Sequence, residues 1–246
     1  MARVHLTTNL WERPFSAAFD FARDLSSFAA SYARPPEQPA IDSVPRGDGR
    51  RVVVLPGILT GDFTTVRLVA WLKQIGYDAQ GWGEGINWGP TTEILARVDA
   101  LIDAAHSSSG RKVSLVGRSL GGLYAREYAK RHPERIDRVI TLGSPVHLPV
   151  KTPLSPFENV LARFYDPSVA ERVDDVAKNP PVPVTAIYSK SDGIVPWQAC
   201  LVEEGPLAEN IEIVSAHTVM GENPRAMRIV ATRLADKPFI EPLTKP

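Results

Sequence analysis

The sequence predicts an α/β fold, in which a mostly parallel central sheet is covered by helices on both faces. From about residue 50 to 235, short β-branched runs alternate with amphipathic segments of ten or more residues. Such alternation is typical of parallel strands joined by helical crossovers. Of the 246 residues, 43% are hydrophobic and 23% are charged, so the chain can bury a sizeable core as one large domain.

The predicted elements follow one another in a regular order. Strands are predicted over residues 51–55, 77–83, 112–116, 139–142, 182–188 and 211–214. Helices are predicted over residues 10–32, 64–74, 91–106, 120–132 and 224–234. Crossovers between parallel strands are right-handed by default, so each helix is expected to return onto a face of the sheet.

Residues 1–46 are predicted to form a helical extension and a linker ahead of a main domain at residues 47–246. Apolar residues recur there at helical spacing: Trp11, Phe15, Ala18, Phe19, Ala22, Leu25, Ala29 and Tyr32. This aromatic stripe favours a helix docked on the main domain by that face. A dimer contact and a lid over a lipid-binding groove are the alternatives. A membrane anchor is disfavoured because the flanking charges are mixed.

One long segment, between Pro145 and Pro181, interrupts the alternation of strands and helices. It contains apolar side chains at helical spacing, namely Phe157, Leu161, Phe164 and Tyr165. A disordered loop has no need of such spacing. We therefore predict a small cap over residues 146–181.

The charge balance excludes several classes of partner. The 28 basic and 28 acidic side chains cancel, so the chain lacks the basic excess of a general nucleic-acid binder.

No apolar run is long enough for a signal peptide or a membrane span, and we expect a cytoplasmic protein without stable membrane insertion. Cys200 is the only cysteine, which rules out an intrachain disulfide and leaves the redox compartment open.

The motif Gly117-Arg118-Ser119-Leu120-Gly121 lies between a predicted strand and a predicted helix. In this context G-x-S-x-G is typical of a nucleophile elbow, a sharp turn that exposes a serine hydroxyl above the sheet. The two glycines leave room for the strand and the helix to approach each other. We therefore predict that Ser119 is a nucleophile. A packing turn with an inert serine is the alternative.

A serine hydroxyl needs a base, and the base needs an acid to orient it. His217 follows the last predicted strand and precedes the last helix, where the base of such a site belongs. Asp192 follows the preceding strand and is predicted to be the acid, although an Asx-turn before Gly193 also explains it. His147 follows an earlier strand and is a candidate for the pocket lining.

Two backbone amides are expected to bind the oxyanion that acyl transfer develops. The Leu120 amide begins the helix after the serine. Ile58 is the predicted second donor, with Leu59 as the alternative, because Gly57 lets this loop approach a substrate. The sequence has no Walker motif, no full dinucleotide pattern and no cluster of metal ligands, so neither cofactor nor metal is predicted.

Five segments occur in a characteristic order, at residues 53–57, 87–90, 113–122, 141–145 and 191–196. In these five segments and their order, the chain resembles bacterial lipases and esterases of the α/β-hydrolase superfamily over about residues 50 to 235. The resemblance implies the α/β-hydrolase fold and ester hydrolysis through an acyl-enzyme, without a cofactor. Arg118 departs from the pattern, since many relatives have His or another ring there, and it places a cation beside the predicted elbow.

The predicted activity is that of a carboxylesterase or lipase acting on a small-molecule ester or a lipid. Thioesterase, lactonase and acyltransferase activities use the same residues and are alternatives. A non-catalytic binding protein on this fold is the alternative from another class. Because the predicted cap has only about 35 residues, short or medium acyl chains are expected.

Overall fold

A computed structural model describes residues 14–34, 36–148, 152–153, 155, 162–172 and 175–236. The described strands are β1 Arg51–Leu55, β2 Asp78–Gln80, β3 Val113–Arg118, β4 Ile136–Leu142, β5 Val184–Ser189 and β6 Ala208–Ile213. The described α-helices are α1 Pro14–Ala33, α2 Val66–Gln74, α3 Thr92–Ser109, α4 Leu120–Arg131, α5 Ser168–Arg172 and α6 Pro224–Leu234. A parallel sheet covered by helices is confirmed.

The strand order is β2-β1-β3-β4-β5-β6, and every neighbouring pair is parallel. The chain moves outward from β1 to β2, returns to β3 on the other side of β1, and continues to β6. Its direction therefore reverses between β1 and β3, and open α/β sheets bind ligands beyond the carboxyl ends of the strands at such a point. Leu55 at the end of β1 pairs with Gly117 of β3, so the loops after both strands meet there.

Two hydrophobic layers cover the sheet. Val53 and Leu55 of β1 belong to the layer that includes α3 and α4. Val52 and Val54 belong to the layer that includes α2 and α6. Successive strand residues point to opposite faces, and here both faces are buried. This double burial is why β1 is an uninterrupted apolar run in the sequence.

Local sequence explains where α3 begins and ends and where α6 begins. Thr91 precedes α3 and accepts a hydrogen bond from the Ile94 amide, while Gly110 ends the helix with a φ of 61°. Asn223 precedes α6 and accepts hydrogen bonds from the next two free amides, and Pro224 occupies the first turn. These caps satisfy backbone groups that a helix leaves unpaired at its ends.

Three strand boundaries differ from the prediction by three residues, and the others differ by two residues or fewer. β2 ends before the expected range does, because the amides of Trp82 and Gly83 donate to the Asp62 carboxylate rather than to a neighbouring strand. β4 and β6 begin earlier than expected, at Ile136 and Ala208. Charged and polar side chains follow both starting points, so a pattern based on apolar residues missed this backbone pairing.

Helix α1 docks on the main domain by a face other than the predicted one. The exposed side chains are those of Phe19 (68%), Ala22, Leu25 (49%) and Ala29. Asp24 is fully buried instead, and Phe21 packs against a cluster that includes Ile194 and Cys200. The prediction that the aromatic stripe faces the main domain is therefore wrong for these positions, because hydrogen-bond partners for Asp24 turn the other face inward.

The rest of the aromatic stripe is outside what can be compared. Trp11 and the side chains of Phe15, Ala18 and Tyr32 lie outside the described residues. Neither α1 nor any other helix in the described part of the chain is long and apolar enough to cross a bilayer.

The predicted cap at residues 146–181 is described in part. Ala162–Phe164 form a short 3₁₀ turn, and α5 follows it. Phe164 is 70% exposed, whereas Tyr165 is half-buried beside Gly89. Phe157 and Leu161 lie outside the described residues. The cap and the boundary between residues 46 and 47 stay predictions.

Candidate active site

Ser119 occupies the turn between β3 and α4 in a strained backbone conformation. Its φ is 51° and its ψ is −123°, values that non-glycine residues adopt rarely and that cluster at functional sites. The Ser119 amide donates to the Leu142 carbonyl at 2.9 Å, which ties the turn to the end of β4. A Cβ at Gly117 or Gly121 would overlap neighbouring backbone, so both positions need glycine, as the motif predicts.

Asp192 and His217 form a buried hydrogen-bonded pair. His217 Nδ1 lies 2.6 Å from Asp192 Oδ2, and the two side chains are 5% and 1% exposed. Asp192 Oδ1 accepts the amides of Ile194 at 2.9 Å and Val195 at 2.7 Å. Because both Asp192 oxygens receive donors, the carboxylate acts as an acceptor and His217 Nδ1 is assigned the proton. Nε2 is then left as the basic nitrogen.

The end of β4 brings the serine and this pair to the same edge of the sheet. Leu142 binds the Ser119 amide, and the next residue is Gly143, whose φ is 60°. A Cβ at Gly143 would lie 3.0 Å from His217 Nδ1 and 3.2 Å from Asp192 Oδ2. No hydrogen bond joins Ser119 Oγ to His217 within the described residues, and such contacts often close only when substrate binds.

The loop after β1 distinguishes the two candidate oxyanion donors. The Leu59 amide donates to the Asn87 carbonyl at 2.6 Å, so this N–H is already committed. No hydrogen bond from the Ile58 amide is found within the described residues. Gly57 is needed beside the serine, since a Cβ there would lie 3.0 Å from Ser119 Cβ.

Asn87 holds this loop, although its role was missed in the sequence. Its Nδ2 donates to the Pro56 carbonyl at 3.1 Å, and its Oδ1 accepts the Gly89 amide at 3.1 Å. Burial raises the pKa of Tyr124, so the Tyr124 hydroxyl stays protonated and donates to Asn87 Oδ1 at 3.1 Å. Asn87 is itself fully buried. The only signal in the sequence was its place in one of the resemblance segments.

A cavity of about 680 Å³ opens beside Ser119. It follows the side of α4 that presents Leu120, Leu123, Tyr124, Glu127 and Arg131, and α3, residues 162–172 and Val176 supply other walls. Along α4 the lining changes from apolar at Leu120 and Leu123 to charged at Glu127 and Arg131. At the polar end, Arg131 donates to Asp99 at 2.6 and 2.7 Å.

Neither Arg118 nor His147 is among the described residues that line the cavity. Arg118 is 4% exposed and, by strand alternation, shares the α2/α6 face with Val116, away from the cavity. Burial raises the pKa of Glu222 on that face, and the charges of Arg67 and Arg118 oppose the rise. His147 does not appear in the described cavity lining; its Nε2 lies 2.9 Å from the Leu201 carbonyl instead.

Comparison by sequence finds one family. Residues 66–185 match the model of a family described as serine aminopeptidase, S33. The matched range includes Ser119 and ends before Asp192 and His217. No curated protein matches the chain in sequence.

Solved structures with a similar fold include two lipases and a thioesterase. A monoacylglycerol lipase of Paleococcus ferrophilus is 18% identical with a TM-score of 0.55, over 78% of this chain and 96% of that one. Lipase BlEst2 of Bacillus licheniformis is 16% identical with a TM-score of 0.56, over 77% and 93%. A thioesterase domain from the curacin biosynthetic pathway is 15% identical with a TM-score of 0.51, over 78% and 93%. At these identities the likeness concerns the fold.

Proposed function

We propose that this chain, which has the α/β-hydrolase fold and matches a serine hydrolase family over residues 66–185, is a serine hydrolase that cleaves carboxylic esters. The main support is a buried Asp192–His217 pair, with 2.6 Å between Oδ2 and Nδ1, at the sheet edge where Ser119 occupies a strained turn. An acid, a base and a nucleophile at one edge are what acyl transfer requires.

In the proposed mechanism, Ser119 Oγ attacks the ester carbonyl while His217 Nε2 takes the hydroxyl proton. Asp192 orients the imidazole and stabilises it when it is protonated. The amides of Ile58 and Leu120 donate to the oxyanion of the tetrahedral intermediate. His217 then returns the proton to the leaving alcohol, and an acyl-enzyme remains on Ser119. Water, activated by His217, repeats the sequence and releases the acid.

The cavity favours acyl chains of short or medium length. Its apolar part follows α4 from Leu120 to Glu127, a rise of seven residues or about 10 Å. With C–C bonds of about 1.5 Å in a zigzag chain, that length holds about eight carbons. Beyond this point Glu127 and the Arg131–Asp99 pair line the cavity, and a methylene chain would desolvate them without a replacement hydrogen bond.

A fluorophosphonate probe tests the proposed nucleophile. The wild-type protein is expected to gain one covalent adduct, located at Ser119 by peptide mass spectrometry, and Ser119→Ala is expected to gain none. Ser144→Ala is the matched control, because Ser144 is a buried serine at the same edge whose Oγ has no hydrogen-bond partner in the described residues. Absence of labelling in the folded wild-type protein would favour a non-catalytic binding protein instead.

A panel of acyl substrates tests the reaction that the nucleophile serves. We expect turnover of p-nitrophenyl esters from acetate to octanoate and a fall in kcat/KM beyond octanoate. Thioesters, lactones and an added alcohol acceptor are measured in parallel. Preference for one of these over simple esters would reassign the substrate while keeping the same residues. A preference for palmitate would contradict the proposed chain length.

A further inference from the structure

The Asp24 carboxylate on α1 binds two loops at once. Its Oδ2 accepts the Gly193 amide at 2.8 Å, and its Oδ1 accepts the Thr218 amide at 2.8 Å. The Thr218 hydroxyl lies 3.0 Å from the same Oδ1 and 2.8 Å from the Asp24 carbonyl. Gly193 follows Asp192 directly, and Thr218 follows His217. One carboxylate therefore contacts the residue next to each member of the acid–base pair.

The free energy of docking α1 on the main domain does not by itself explain why Asp24 is buried. The residue is fully buried, and no lysine, arginine or histidine within the described part of the chain forms an ion pair with it. A buried carboxylate without a cation stabilises a fold less than an apolar side chain of similar size does. Its amide and hydroxyl donors offset the desolvation only while both loops keep their positions.

The sheet restrains these loops at their near ends and α1 restrains them further on. Ser189 Oγ at the end of β5 accepts the amides of Ser191 and Ser215, each at 3.0 Å. Arg23 Nη2 donates to the Ser191 carbonyl at 2.8 Å. Beyond these points the two loops are joined by Asp24 and by the hydrogen bond between their own side chains.

We propose that Asp24 is a positioning residue that holds the loop of Asp192 and the loop of His217 in fixed relative positions, so that α1 supports the active site. The proposal rests on the proposed function, because the pair it aligns is the acid and base of that reaction. Asp24 touches neither substrate nor reacting atoms. Its effect is to keep Asp192 Oδ2 at hydrogen-bond distance from His217 Nδ1 and the ring turned toward Ser119.

Removal of the carboxylate is expected to lower kcat more than it changes KM. In Asp24→Ala both loops lose their common acceptor, and a displacement of catalytic groups by about 1 Å costs about 100-fold in rate. We expect kcat for a short ester, measured per active site titrated with a phosphonate, to fall by about 10–100-fold. Asp24→Asn keeps one acceptor oxygen and presents an amide to the other donor, so an intermediate loss is expected.

Matched variants separate alignment from simple docking. Ser26→Ala lies on the exposed side of the same helix and removes only a hydrogen bond to the Arg23 carbonyl of that helix, so it is expected to keep wild-type kcat. Thr218→Ser retains the hydroxyl donor and should also keep wild-type kcat, whereas Thr218→Val loses it and should be slower. If Asp24→Ala does not fold, the Thr218 pair decides the question.

A spectroscopic measurement makes the test independent of catalysis. A proton in a short imidazole–carboxylate hydrogen bond resonates far downfield in the ¹H NMR spectrum, and the wild-type protein is expected to show this signal for His217 Nδ1–H. The signal should weaken or move upfield in Asp24→Ala and Thr218→Val. If both variants keep the wild-type signal and labelling rate, the proposal is overturned. If the wild-type protein shows the signal but is not labelled, the proposed function fails instead.

Discussion

The main chain at Gly143 passes the imidazole of His217 with no space for a side chain. A Cβ at this position would meet both His217 Nδ1 and Asp192 Oδ2, and the positive φ disfavours other residues on its own. The hydrogen bond between Asp192 and His217 therefore packs directly against the main chain of Gly143. A methyl group has to displace the ring, the carboxylate or the end of β4.

Gly143→Ala is expected to lower kcat/KM for a short ester by about 100-fold, because a shift of about 1 Å in the reacting groups has that effect. Steady-state hydrolysis of p-nitrophenyl acetate measures it. Gly205→Ala is the matched control, since nothing lies within 4 Å of a Cβ there, and its rates should equal those of the wild-type protein. Unchanged kinetics in Gly143→Ala would show that this pair does not serve the reaction.

Asn87 supports the loop that presents the Ile58 amide, so its loss should act on the transition state. In Asn87→Ala, we expect kcat to fall toward the roughly 100–1,000-fold loss seen when one oxyanion donor is removed, with little change in KM. Asn210→Ala is the control, because Asn210 also binds main-chain groups, those of Val202 at 2.8 Å, outside this site. Equal losses in the two variants would point to general destabilisation.

Some residues of the candidate site could be predicted from the sequence, and others could not. Ser119, Asp192 and His217 each follow a strand, and the carboxyl ends of parallel strands meet at one edge, so their neighbourhood follows from topology. Gly143 also follows a strand, but its importance, like that of Asn87, lies in contacts that form only after folding. The choice between Ile58 and Leu59 depends on a hydrogen bond to Asn87, 28 residues along the chain from Leu59.

At the scale of elements, α3 forms a wall of the cavity through Leu95, which is half-buried. In Leu95→Trp, the larger ring is expected to shorten the apolar part of the cavity. We predict that KM for the octanoate ester rises several-fold while kinetics with the acetate ester stay unchanged. Leu101→Trp, also half-buried on α3 but outside the described cavity lining, is the control. Equal effects on both esters would contradict the placement of the acyl chain.

The two faces of α1 are expected to differ in their contribution to stability. Leu25→Ser lies on the exposed face, where substitutions usually change the free energy of unfolding by less than about 0.5 kcal/mol. Phe21→Ala removes a ring packed near Ile194 and Cys200, and we expect a loss of about 1–3 kcal/mol, less than for a fully buried phenylalanine. Urea unfolding measures both. A larger loss in Leu25→Ser would restore the originally predicted docking face.

Periodicity predicted the existence of α1 correctly and its orientation wrongly. Phe19, Ala22 and Leu25 form the more apolar face, and burial of apolar area is the usual guide. Asp24 reverses that choice, since its partners Gly193 and Thr218 are 169 and 194 residues away. Hydrogen bonds over such separations leave no local pattern. Elements whose burial depends on apolar area, such as β1 and α4, were predicted close to their observed bounds.

For the whole molecule, acidic groups near the amino ends of the strands predict the response to acid. Burial raises the pKa of Asp48, but hydrogen bonds from Arg111 and the Arg50 amide outweigh this effect and hold the pKa at about 2 instead of 3.8. Burial acts likewise on Asp137, whose pKa is lowered overall by Arg138 and Arg50. A carboxylate with a depressed pKa in the folded state stabilises the fold above its unfolded pKa and loses this effect as pH falls.

We therefore expect Tm to be constant from about pH 7 to 5 with respect to these groups and to fall between about pH 4 and 2. Asp137→Asn should lower Tm at pH 7 and should show a shallower fall below pH 4. The exposed Asp42→Asn is the control and should follow the wild-type curve. Parallel curves for Asp137→Asn and the wild-type protein would assign the acid transition to other groups.

The long-range anchoring of α1 has a consequence for synthesis on the ribosome. Asp24 emerges early, but its partner Thr218 lies 194 residues later, which corresponds to about 10–40 s at about 5–20 residues per second. Within that interval all strands up to β6 are synthesised, while Asp24 still lacks its donors from Thr218. Translation must pass residue 218 before Asp24 can join both loops, so a chain stalled before that point would have most of the sheet and no assembled acid–base pair.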